Sequence, residues 1–64
     1  MEKILTTYEG DEIFLDREHW IDHNAEIVTM IIRIGPRLEW EINLTRQQAD
    51  QLGDALKEKA DYGN

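Results

Sequence analysis

The chain contains no cysteine and no serine, a single proline, and only seven lysine and arginine residues among its 64 residues. Without cysteine it forms neither a disulfide nor a thiolate metal site, and the absence of serine removes a second common nucleophile. No stretch reaches the ~18 consecutive apolar residues of a membrane span, and Met1–Lys3 leads into a strand-like pattern rather than a signal peptide. We therefore expect a cytoplasmic domain with no membrane partner, no cofactor and no enzymatic activity.

Acidic residues dominate the charge. Fourteen aspartates and glutamates give a net charge of −7, which disfavours direct binding to nucleic-acid phosphates. Residues 1–26 hold eight of the acids against two basic residues, and so six of the seven net charges. This asymmetry predicts a working surface in the N-terminal part of the chain, and the expected partner is another protein with a basic surface.

Residues 26–61 hold the clearest secondary-structure patterns. Leu38–Leu44 alternates apolar and polar side chains without interruption, which is typical of a half-buried strand. A β-branched run precedes it, and a Gly-Pro-Arg turn signal at 35–37 separates the two. Thr45 and Gln48 form a capping-box pattern ahead of apolar residues at helical spacing. We predict strands at about 26–34 and 38–44 and a helix at about 46–61.

The first third is patterned less clearly. Strands are predicted at about 3–8 and 12–16 with Gly10 in the turn between them, and residues 17–25 are expected to form a polar connection. The fold class is α+β: a small antiparallel β-β-β-β-α sheet in one domain, residues 1–64, with one C-terminal helix packed on one face. Whether the two hairpins share one sheet is left open.

Seven residues of the N-terminal part are candidates for binding a partner. Six are acids that would steer a basic partner, and an aromatic side chain in a polar connection is either an anchor or a plug on the core edge. These candidates are Glu9, Asp11, Glu12, Asp16, Glu18, Trp20 and Asp22. Glu39 and Glu41 share a strand face and are interpreted as a solvated face rather than a catalytic pair.

Self-association is the first alternative. Ile27 and Ile31 make the second face of their strand half apolar, and one helix covers only one face of a small sheet. Gly53 inside the predicted helix would permit close approach to the sheet or to a partner helix. These three residues would then form the interface of a homodimer with a structural or regulatory role.

Metal binding is the second alternative. His19 and His23 would share a face if their segment were helical, and histidine with carboxylate binds zinc. The pattern lacks the HExxH order of metalloproteases. The competing interpretation is two exposed histidines in an acidic loop, so no metal is assigned.

The C-terminal segment 44–61 resembles the end of small actinobacterial and actinophage proteins of unassigned function. The resemblance rests on the residues that match a strand running into "L-T-x-x-x-A-x-x-L-x-x-x-L-x-x-A", namely Leu44, Thr45, Gln48, Ala49, Leu52, Leu56, Ala60 and Asp61. It implies an origin rather than an activity. In size and charge the chain is similar to phage-encoded inhibitors such as anti-CRISPR proteins, whose compact acidic surfaces would occupy a basic groove in place of nucleic acid.

Overall fold

The computed structural model describes residues 1–61, and these form a four-stranded antiparallel sheet followed by one C-terminal helix. The predicted α+β class and its order of elements are confirmed. The elements are β1 (Glu2–Thr6), β2 (Glu12–Trp20), a 3₁₀ turn (Ile21–His23), β3 (Ala25–Ile34), β4 (Leu38–Thr45) and α1 (Arg46–Asp61). Within this part of the chain, no helix combines the length and the apolar character needed to cross a bilayer.

The strands follow one another across a single sheet in the order β1-β2-β3-β4, so both hairpins share it. Gly10 with φ of 94° and Gly35 with φ of 67° occupy the first and last turns, where a side chain would be strained. The backbone N–H of Asp11 donates to Thr7 Oγ1 at 3.0 Å, which fixes the first turn further. A bulge between Lys3 and Leu5 interrupts the pairing of the outermost strand β1.

The predicted polar connection at 17–25 is wrong over most of its length. β2 continues to Trp20, which pairs with Ala25 of β3, and the link is only the 3₁₀ turn followed by Asn24 in the left-handed region at φ of 46°. Backbone pairing with β3 extends the strand although Arg17, Glu18 and His19 are polar. In the sequence, Asn24 was the residue that indicated a tight turn here, because asparagine tolerates left-handed backbone.

The unbroken register of β2, β3 and β4 gives the sheet two unlike faces. Residues directly opposite one another on neighbouring strands share a face, and successive residues alternate between faces. The face we call the apolar face carries Ile13, Leu15, Val28, Met30, Ile32, Ile34, Leu38, Trp40, Ile42 and Leu44. The face we call the acidic face carries Glu12, Asp16, Glu18, Glu39 and Glu41 around a central row of Ile27, Thr29 and Ile31.

The buried side chains lie on the acidic face. Ile27, Thr29 and Ile31 are 6%, 1% and 8% exposed, whereas Trp40 and Ile42 on the apolar face are 57% and 38% exposed. We expected Ile27 and Ile31 to need a second cover, and the structure instead buries both within the single chain. Their strand is central, and each isoleucine is flanked on both sides by cross-strand neighbours.

Helix α1 begins as its capping box predicts. The Thr45 N–H donates to Gln48 Oε1 at 3.0 Å, and the Gln48 N–H donates to Thr45 Oγ1 at 3.1 Å. The helix contacts β3 and β4, yet none of its residues is buried. Ala49 is half-buried, while Leu52 and Leu56 are 38% and 63% exposed. The helix therefore covers much less of the sheet than its amphipathic pattern predicts.

The molecule is consequently thin and extended. Its principal extents are 42 × 31 × 15 Å and its radius of gyration is 13.5 Å. A compact chain of this length has a radius of gyration of about 11 Å. The excess reflects a sheet and a helix that lie beside each other more than they stack.

Candidate partner-binding site

The acidic face is organised around the hydroxyl of Thr29. This oxygen lies 2.9 Å from Glu18 Oε1 and 2.9 Å from Asn43 Oδ1, so side chains of β2, β3 and β4 meet at one polar point. Both neighbours are acceptors and the hydroxyl has one proton, so it donates to one of them at a time. Asn43 in turn donates from Nδ2 to Glu41 Oε2 at 3.1 Å, and Trp20 Nε1 donates to Glu18 Oε2 at 3.3 Å. Because Thr29 is 1% exposed, it fixes these outer side chains from beneath.

Two basic side chains neutralise one end of this face. Arg33 Nε lies 3.0 Å from Glu39 Oε1, and its Nη1 lies 3.7 Å from Glu12 Oε1. Lys3 Nζ lies 2.8 Å from Glu12 Oε2. The Arg33 guanidinium also sits over the ring of Phe14, 4.9 Å from its centroid. Glu12 and Glu39 are therefore paired charges.

The hydrogen bond from Lys3 holds the pKa of Glu12 below its ordinary value of 4.5, and the charges of Lys3 and Arg33 act in the same direction. Desolvation opposes this lowering without cancelling it. Glu12 is therefore ionised at neutral pH and occupied by its own cations, which leaves it little capacity to bind a basic partner.

Three other carboxylates on this face have no basic partner. Asp16, Glu18 and Glu41 make no ion pair within 4.0 Å to any residue of the described chain, 1–61. They lie on β2 and β4, with β3 between them, and so span about 10 Å across three strands. Their charges are exposed while hydrogen bonds hold their positions. We call Asp16, Glu18 and Glu41 the unpaired triad.

The structure brings together only some of the predicted partner-binding residues. Asp16 and Glu18 share the acidic face with Glu12 and Trp20, whereas Glu9 and Asp11 lie at the β1–β2 turn, and Asp22 lies in the 3₁₀ turn at the other end of β2. The nine residues of β2 separate these ends by about 30 Å. The acids thus form a stripe along one strand rather than one cluster.

Trp20 occupies an intermediate position. It is half-buried at the end of β2, its Nε1 donates to Glu18, and its ring centroid lies 5.9 Å from that of His23. Part of the indole remains accessible at the margin of the acidic face. This placement combines the plug and the anchor interpretations.

Sequence reasoning did not place Glu41 and Asn43 in this site. Glu41 was interpreted as part of a solvated face, and its link to Thr29 through Asn43 depends on the register between β3 and β4. The alternation in Leu38–Leu44 could have predicted this, because it puts Glu41 and Asn43 on the same face as Thr29 and Ile31 of β3.

The histidines do not share a helical face, because β2 is extended at His19 and His23 lies in the 3₁₀ turn. His19 Nδ1 lies 2.9 Å from Glu26 Oε1 on the neighbouring strand. Among residues 1–61, no group of three or more histidine, aspartate or glutamate side chains is arranged to hold a metal ion.

Gly53 does not approach another element. A Cβ built at this position meets no atom within 4 Å outside its own stretch of helix, so close approach to the sheet does not explain the glycine. Ile27 and Ile31 are likewise unavailable as an interface, since the single chain buries them.

One further concavity lies beside the start of α1. This groove of about 440 Å³ is lined by Arg17, Glu26, Ile27, Val28, Arg46, Ala49 and Asp50. Its lining has two cationic and two anionic side chains, so charge alone selects neither an anion nor a cation.

The fold and the site together define a small α+β domain with one acidic and one apolar sheet face. Comparison with protein-family models, with curated proteins and with solved structures finds no match to this chain. The resemblance of segment 44–61 to actinobacterial and phage proteins stays a prediction.

Proposed function

We propose that this protein is a small non-enzymatic binding module, and that its acidic face occludes a basic, nucleic-acid-handling surface of a host protein. A phage-encoded inhibitor would act in this way. The unpaired triad is the observation that carries the proposal. Its three carboxylates are exposed, lack basic partners within the described residues 1–61, and are held in place around buried Thr29.

Preorganisation of these carboxylates would raise their affinity for a partner. A binding surface loses affinity when flexible side chains must be ordered on association, and hydrogen bonds to Thr29, Asn43 and the backbone already order these carboxylates. The net charge of −7 adds long-range attraction to a basic partner and accelerates encounter. The acidic residues outside the triad contribute steering rather than fixed contacts.

Removal of the triad charges tests the proposal. The variant D16N/E18Q/E41Q keeps side-chain size and hydrogen-bonding capacity while it deletes three charges. We expect it to capture much less protein than the wild type from the heparin-retained fraction of a host lysate at low salt. Since the Debye length falls from about 10 Å at 0.1 M salt to about 3 Å at 1 M, capture by the wild type should also fall sharply at 0.5 M.

A matched control removes the same number of charges from the helix. The variant D50N/D54N/E58Q changes net charge equally but leaves the acidic face intact. It should retain capture at a level close to that of the wild type. Equal losses of capture in both triple variants would show that only net charge matters and would contradict a site on the acidic face. Capture that persists at 0.5 M salt would also contradict the proposal.

A further inference from the structure

The apolar face is only partly covered in the single chain, and its β4 side is exposed. Trp40, Leu38, Ile34 and Ile42 are 57%, 47%, 40% and 38% exposed. They adjoin the apolar side chains of β2 and β3. The charged side chains on this side lie at its margins: Arg17 is opposite Val28 at one end, with Glu26 next to it, and Glu2 of β1 is opposite Leu15. A contiguous apolar surface of this kind marks an interaction site on a soluble protein.

The accessible surface area of the chain exceeds that of a compact monomer of the same mass. The chain exposes 5669 Å². A compact monomer of 7.6 kDa exposes about 4,300 Å², which is about 1,400 Å² less. Each subunit of an obligate homodimer buries about 1,000 to 2,500 Å². The excess of about 1,400 Å² therefore lies within the range that one subunit of such a dimer buries.

The sheet and helix α1 could form the two layers of a two-layer domain, but in the single chain they stack on each other only slightly. An amphipathic helix normally covers the apolar face of a sheet. Here Leu52 and Leu56 remain 38% and 63% exposed, and they belong to a helix of 16 residues, about 24 Å long. The eight residues of β4 span about 26 Å. Helix and sheet thus match in length and in apolar character, and a second copy would supply each with a cover.

Charge selects the face that a second copy would use. Two chains of net charge −7 repel each other wherever their acids meet. The apolar face has no carboxylate at its centre, so like chains approach each other there at the lowest electrostatic cost. A twofold axis through this face keeps both acidic faces on the outside.

We propose that this protein is a homodimer in which a second copy covers the apolar face and the apolar stripe of α1, with Trp40 as an anchor. This inference goes beyond the proposed function, because it concerns the opposite side of the sheet. It also replaces the interface predicted from the sequence, Ile27, Ile31 and Gly53, with side chains that are exposed.

Sedimentation equilibrium of the full chain tests the dimer. The wild type should have twice the chain mass of 7.6 kDa at micromolar concentration. W40E should weaken dimerisation by at least about 30-fold, the loss expected for a hot-spot residue. I21E is the matched control: it adds the same charge at a side chain that is 84% exposed in the 3₁₀ turn, away from the face, and it should remain dimeric. A monomeric wild type, or equal weakening by both variants, would overturn the proposal.

Fluorescence supplies a test that needs no disruptive substitution. In W20F the remaining indole is Trp40, which is 57% exposed in the single chain. We expect its emission to be blue-shifted and protected from acrylamide at high protein concentration, and to become red-shifted and quenchable on dilution. Emission from an accessible indole at every concentration would refute the dimer.

Discussion

The Thr29 hydroxyl on β3 contacts side chains of both neighbouring strands, β2 and β4, so T29V tests how much this contact stabilises the fold. Valine keeps the branched shape and deletes only the polar atom. The hydroxyl of a residue that is 1% exposed then no longer reaches Glu18 Oε1 or Asn43 Oδ1, each 2.9 Å away.

The magnitude follows from two opposing terms. A hydrogen bond to a charged group contributes about 1.5–3 kcal/mol. Replacement of a buried hydroxyl by a methyl group returns about 0.8 kcal/mol of apolar transfer free energy. The carboxylate of Glu18 is exposed and regains water once its partner is lost, which places the net effect toward the lower end. We expect T29V to lower the free energy of unfolding by about 1 kcal/mol, or Tm by about 4–8 °C for a domain of this size.

Thermal and urea unfolding at one fixed protein concentration measure this change, since any self-association makes Tm concentration-dependent. A double-mutant cycle with E18A isolates the pair. T29V should cost measurably less in the E18A background than in the wild type. An unchanged or raised Tm for T29V, or strict additivity in the cycle, would refute the reasoning.

Three further predictions concern local features. T45A removes the side-chain cap of α1 and should cost about 1 kcal/mol, measured by thermal unfolding, whereas an unchanged Tm would show that the cap contributes nothing. G35A forces a side chain into φ of 67° and should destabilise by about 1 kcal/mol in urea unfolding, although the added Cβ meets no atom within 4 Å. E12Q removes a carboxylate whose pKa is lowered by Lys3, so it should reduce stability at pH 7. Because that contribution disappears as pH falls from 4.5 through the lowered pKa, the two unfolding curves should converge in acid; a constant difference would contradict the assignment.

The second hairpin and the helix were predictable because their side-chain patterns agree with their backbone structure. Leu38–Leu44 alternates, and Thr45 with Gln48 closes a capping box that the structure reproduces. The second half of β2 offered no such agreement. Arg17 and His19 are polar although they lie on the same side of the sheet as Leu15, so alternation fails where backbone pairing continues.

The two faces were also predictable, whereas their covering was not. Alternation separates Ile27 and Ile31 from Met30 and Ile32, but it does not say which face a helix will cover. That outcome depends on the direction in which α1 leaves Thr45. Likewise Asp16 and Glu18 were identified from charge alone, while Glu41 required the register that the turn at Gly35 sets.

The order β1-β2-β3-β4 has a consequence for how the chain folds. Each strand pairs with its immediate successor, so every loop that must close is a short turn and no crossover connection is needed. β3 is hydrogen-bonded on both sides along most of its length, whereas β1 is a short, bulged edge. Among the strands, the amides of β3 should exchange with deuterium last and those of β1 first. Strand β3 would then be the part of the sheet that opens least often.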